Sequence, residues 1–206
     1  MNPSDITNLI ETAGRIRKSE KHPMPFFLLS WTAWEAMRMR LLRVVINRQG
    51  WPIKTATLVL GEQRVSTMEH TACLLEELGA GNPNEWTGIS GKIWRKLIEI
   101  QPIRNRLSHG FMTLNPALIR AAGDLVLASL EYRCWLEAIK IPDINGGIVR
   151  TGCLLKRTNI KKADVLKSED SLRSKLTLGN NRKRGKGRKT LPDISGLIAL
   201  SSVIKE

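Results

Sequence analysis

The segment Ile103-Arg104-Asn105-Arg106-Leu107-Ser108-His109-Gly110 places two arginines, an asparagine and a histidine within eight residues. An imidazole, with an unperturbed pKa of roughly 6.5, accepts or donates a proton near neutrality. A guanidinium offers a fork of donors that matches phosphate oxygens. Cleavage of RNA asks for little more. A 2′-hydroxyl must lose a proton as it attacks the adjacent phosphorus, and the leaving 5′-oxygen must gain one. The crowded phosphoryl group must have its charge balanced. His109 is thus the candidate general acid/base and Arg104 the candidate stabiliser of the phosphoryl transition state. The expected ends are a 2′,3′-cyclic phosphate and a 5′-hydroxyl.

Other chemistries have weaker signals. The histidines are His22, His70 and His109, and none belongs to an H-E-x-x-H or a close His/Asp/Glu cluster, so no metal ligand set and no cofactor is expected. A phosphate-binding loop fails because Gly179 and Gly185-Lys186 are one residue too far apart, and Gly187 stands where Ser or Thr is needed. G-x-S-x-G is absent. The Arg-to-His spacing alone is not selective, since Arg17/His22 and Arg64/His70 also satisfy it. Only Arg104/His109 adds the asparagine, a following glycine, and an apolar helix on each side. The plainer alternative is an Arg and a His that cap the last carbonyls of a helix.

The elements that must position this segment read as helices through residue 140. A short polar helix covers residues 5–18, and His22-Pro23-Met24-Pro25 breaks it. An apolar helix runs from Phe26 to about Asn47, with Phe27, Trp31, Trp34, Leu41 and Val45 on one stripe and Glu35 beside it. A third spans 55–78. A fourth starts near Ser90, meets a kink or new turn at Pro102, and ends around Ser108, with Gly110 as a left-handed cap. Asn115-Pro116 opens a fifth. Pro142 and Gly146-Gly147 close the domain. Residues 143–206 read as a basic, weakly structured extension, although Ile194 to Ile204 is apolar enough to dock back. The six tryptophans are expected mostly in the core or at an interface, not as base-stacking platforms, because Trp31, Trp34 and Trp94 fall on helical stripes.

The 103–110 stretch resembles the Arg-Asn-x-x-x-His signature of HEPN domains, the helical domains of many toxins, antiviral ribonucleases and CRISPR-associated ribonucleases. The resemblance covers roughly residues 5–140. It implies an all-α, HEPN-like fold of about five helices over 1–142 that cuts RNA without metal. By motif matching, Arg104, Asn105 and His109 take the family's Arg, polar and His positions, and Ser108 and Gly110 flank the histidine in keeping with it. Glu35 resembles the acidic residue of the family's early helix that sits near the active arginine; a boundary carboxylate is the plainer reading. Family members usually pair, so that two motifs form one cleft. Geometry points the same way. Positions five apart on an ideal helix differ by about 140°. Arg104 and His109 therefore converge through distortion at the helix end or across a two-fold axis, and a homodimer supplies a second His109.

Charge names a partner class. Lys plus Arg is 33 against 19 Asp plus Glu, a net +14, and residues 141–206 carry +9 of it with no aromatic residue. That favours RNA over a membrane surface. Arg106 and the run Arg182, Lys183, Arg184, Lys186, Arg188 and Lys189 are the candidate RNA contacts; a solvated arginine and a solubilising segment are the alternatives. Isolated Cys73, Cys134 and Cys153, and no long apolar run, suggest a soluble cytoplasmic protein with reduced thiols. The functional expectation is an endoribonuclease acting as a toxin or antiviral effector, with an antitoxin or regulatory protein as a further partner. Its rival is a non-catalytic nucleic-acid binder that uses the basic tail. A third class is a structural subunit held by a cognate antitoxin.

Overall fold

The computed structural model describes residues 2–18, 21–63, 65, 67–110, 114–132, 134–155, 167–180 and 190–205. The described residues are mainly helical, with one small two-stranded sheet: α1 (Pro3–Arg17), α2 (Pro23–Arg48), α3 (Ile53–Glu62), α4 (Met68–Glu77), α5 (Gly88–Ser108), α6 (Pro116–Glu131), α7 (Cys134–Glu137), β1 (Lys140–Pro142), β2 (Ile148–Arg150), α8 (Glu169–Asn180) and α9 (Ile194–Lys205). The all-α class holds. The helix count within 1–142 is higher than the expected five. The apolar pattern over 55–78 is interrupted because Thr67 adopts an extended backbone and its side chain accepts the N–H of His70, which caps a new helix. Pro102 does not end α5, which continues through it to Ser108.

Contacts divide the chain into two compact units. The first comprises residues 1–37, 92–133 and 187–206, and the second comprises 38–91 and 134–186. This differs from a domain boundary at 142/143, and the described parts of 143–206 are not an appendage. Pro142 and Gly146-Gly147 do not end a domain either. They belong to an antiparallel hairpin in which Lys140 pairs with Arg150 and Pro142 with Ile148. Its turn is closed by Asp143, whose carboxylate accepts the N–H groups of Asn145 and Gly147 while Gly146 takes φ +78°.

In the first unit, α1, α2 and α6 meet through Ala13, Phe26 and Leu127. Gly123 on α6 leaves room for Phe26, since a Cβ there would lie 2.6 Å from the ring. Arg17 and Asp124 tie α1 to α6 at 2.6 Å. Asn115 caps α6 by accepting the N–H of Ala117, with Pro116 in the first turn as expected. α9 packs along α6 and buries Leu197, Leu200 and Ile204. The docking of 194–204 is thus realised, and Asp193 starts the helix by accepting from Ser195 and from the Gly196 N–H. In the second unit, α8 packs on α3 and α4. Arg173 donates to both carboxylate oxygens of Glu62, and Trp51 donates its indole N–H to Ser171.

Two outcomes follow. Gly123→Ala overpacks the Phe26 contact and costs about 1–3 kcal/mol in urea unfolding; an unchanged midpoint would mean that Phe26 moves aside freely. The Asp193 carboxyl sits below the usual carboxylate range, chiefly through its Ser195 hydrogen bond and then the Gly196 N–H. Its contribution to stability is present above pH of about 4 and is lost as pH falls through its lowered value. Asp193→Ala therefore lowers the melting temperature at pH 7 and converges with the parent in strong acid.

Candidate functional site

α5 is placed by its apolar face. Ile93, Trp94, Leu97, Ile100, Ile103 and Leu107 are buried at helical spacing. Trp94 meets Trp34 of α2 edge-on, with ring centroids 6.2 Å apart, and both are 0% exposed. Trp31 is also buried. These side chains form core, as the stripes predicted.

Glu35 follows Trp34 at the rim of this contact. Its Oε1 lies 3.1 Å from Arg104 Nη2 and accepts the indole N–H of Trp31 at 2.9 Å. One carboxylate oxygen thus joins two groups, one from its own helix and one from α5. Arg104 also donates from Nη1 to the Asn105 side chain at 3.3 Å. The pair is 36% and 30% exposed for arginine and glutamate, which makes Glu35 a boundary carboxylate rather than a buried one. An ion pair so exposed contributes about 0.2–1 kcal/mol. Its physical effect is to restrict where the guanidinium points.

The helix end has the expected cap. The His109 N–H reaches the Asn105 carbonyl at 3.1 Å, and the Gly110 N–H reaches the Leu107 carbonyl at 3.2 Å with Gly110 at φ +79°. Asn105, Arg106, Ser108 and His109 are exposed. An accessible imidazole therefore stands one residue beyond the end of α5, five residues after an arginine held by Glu35. The structure brings Arg104, Asn105 and Glu35 into contact. It places Ser108 and His109 beside them along the chain, with the His109 backbone N–H bonded to the Asn105 carbonyl. Arg182, Lys183, Arg184, Lys186, Arg188 and Lys189 lie outside the described residues.

The two competing spacings separate on geometry. Arg17 is committed to Asp124, and its carbonyl accepts from Arg120 at 2.9 Å, so it braces α1 on α6. His70 is 2% exposed on α4, more buried than a helix-face histidine, and cannot present its imidazole to a large substrate; Arg64 lies outside the described residues. The indole of Trp31 as a second tether of Glu35 was missed in the sequence. Its signal was the four-residue separation, which places the two on one helix face. Among the described residues, no group of three or more His, Cys, Asp or Glu side chains is placed to hold a metal ion.

The Glu35–Arg104 pair is measurable by itself. A double-mutant cycle with Glu35→Ala and Arg104→Ala is expected to return a coupling of about 0.2–1 kcal/mol in denaturant unfolding. A coupling indistinguishable from zero would show that Arg104 is not held by this contact.

In comparison with known proteins, the chain matches no family model, no curated protein and no solved structure.

Proposed function

We propose that the chain is a HEPN-like endoribonuclease that works without metal and serves as a toxin or antiviral effector. The observation that carries this reading is the end of α5, where Arg104 is oriented by Glu35 and Asn105 while His109 stands exposed just past the last turn. In this reading His109 takes the 2′-hydroxyl proton as the oxygen attacks phosphorus. Arg104 balances the charge of the phosphoryl oxygens. The proton needed by the leaving 5′-oxygen comes from a second imidazole. The second His109 of a homodimer supplies it directly, because a two-fold axis presents each residue twice, whereas a source within the chain would need His22 or the buried His70 beside His109. The products are a 2′,3′-cyclic phosphate and a 5′-hydroxyl. A cognate antitoxin or regulatory protein fits the same reading.

The test is incubation with total RNA in the presence of a chelator, comparing the parent with Arg104→Ala and His109→Ala. The parent is expected to cut, and each variant to lose at least a hundredfold, the lower range of a single acid/base or charge-stabilising group. Cutting that persists in His109→Ala would sink the assignment. In cells the parent arrests growth and His109→Ala does not.

The net +9 of residues 141–206 favours a second reading, a non-catalytic nucleic-acid binder. Removing the whole C-terminus does not separate the two, because α9 supplies buried side chains to the first unit. Replacing the six cations between 182 and 189 by serine does. Tight binding that vanishes with them, and no cleavage by the parent, would establish the rival.

A further inference from the structure

The second unit holds a hollow that the candidate site does not use. Its volume is about 520 Å³, inside the roughly 300–1,000 Å³ usual for small-ligand sites. Two stretches wall it. The loop between α4 and α5, with the start of α5, gives Glu85, Trp86, Thr87 and Ser90. The passage from α7 into β1 gives Trp135 and Lys140. Trp135 is 3% exposed, whereas Trp86 is half-buried and lies outside any α-helix.

Both walls are held by local bonds. Asn82 accepts the N–H of Asn84 and donates its amide to Glu76, which starts the short 3₁₀ turn Pro83–Glu85 before Trp86. Gly81 takes φ +74°, and a Cβ there would lie 3.6 Å from Trp86 Nε1, so the indole lies close over this glycine. On the other side, the Thr151 hydroxyl donates to the carbonyls of Leu136 and Glu137, and its N–H donates to that of Ile139. A hollow whose walls are fixed beforehand loses little order when it is filled.

The lining selects a chemistry. Indoles offer flat apolar surface, which suits a planar ring. Glu85 and Lys140 are exposed, and neither forms an ion pair among the described residues. A fatty chain answers neither charge. A quaternary ammonium suits the indoles and Glu85 but is repelled by Lys140. A nucleotide answers all of them, with its ring toward the indoles, its N–H groups toward the carboxylate and its phosphate toward the ammonium. The net +14 of the chain draws such anions. Among the common bases, guanine carries two adjacent N–H donor groups on one edge, which match the two oxygens of a carboxylate.

We infer that this hollow takes a guanine nucleotide, with the base against Trp86 and Trp135, Glu85 accepting from the base and Lys140 countering the phosphate. The nucleotide is free or is one unit of an RNA strand. The site belongs to the second unit and stands whether or not Arg104 and His109 cut RNA.

The full chain is titrated by calorimetry with guanosine monophosphate, adenosine monophosphate, guanosine and inorganic phosphate. Two short 2′-O-methyl oligouridylates, one containing a single guanine, complete the set. Guanosine monophosphate is expected to bind at least about tenfold more tightly than adenosine monophosphate or phosphate. Trp86→Ala should weaken it about tenfold, as loss of a stacking ring does. Glu85→Gln should bring it to the level of adenosine monophosphate, and serves as the criterion if Trp86→Ala does not fold. Lys140→Gln should weaken the nucleotide and leave guanosine unchanged. Equal affinity for guanosine monophosphate and inorganic phosphate, a guanine preference undiminished in Glu85→Gln, or no binding of any guanine ligand would overturn the site. Binding of the guanine oligonucleotide alone, absent for the plain oligouridylate and lost in Glu85→Gln, supports it and assigns the base to a strand.

Discussion

The edge-on contact of Trp34 with Trp94 is the constraint that fixes α2 against α5 in the first unit. Both rings are fully withdrawn from water, and burial of side chains this large dominates local energetics. Once they are packed, the rotation of both helices is set. Glu35, one residue on, must emerge at the rim. Arg104, ten residues beyond Trp94, returns to the same edge about three turns along. The half-exposed ion pair between them is too weak to set this geometry and is instead a result of it. The alignment of a reactive-looking pair thus rests on core apolar packing some distance away.

Much of this was legible in the sequence. Apolar spacing located α1, α2, α5 and α6 closely, because each buries one continuous face and carries punctuation that local chemistry explains, as with Asn115-Pro116 and Gly110. The third helix was overextended because one stripe, Val65, Met68, Ala72, Leu75 and Leu78, was taken to belong to a helix already under way at 55, across a break that depends on a side-chain cap at Thr67. Residues 143–206 were harder. α8 and α9 are short, and their burial comes from distant partners, α3 and α4 for one and α6 for the other. Periodicity in a window of that length, surrounded by lysines, does not reveal a partner a hundred residues away. The hairpin at 140–150 was read as a terminator because Pro, Gly and Asp signal a turn without saying what the turn joins.

The candidate site divides along the same line. Residue types and spacing singled out Arg104 and His109, and the exclusion of Arg17/His22 and His70 needed only their partners and burial. The Trp31 indole at Glu35 passed unremarked, since attention to the apolar stripe of α2 reads a tryptophan there as core alone.

The first unit is assembled from three stretches of chain separated by the whole of the second. α6 is completed at Glu131, yet the helix that covers part of its buried face runs to Lys205. A ribosome emits these stretches in order, so the unit that carries Arg104 and His109 lacks one wall throughout the synthesis of the 62 residues between Glu131 and Ile194. Its apolar seam closes only after α9 has left the exit tunnel. Maturation of that unit therefore waits for the whole of the second, and a chain interrupted before α9 presents the helices bearing the motif around an unfinished core.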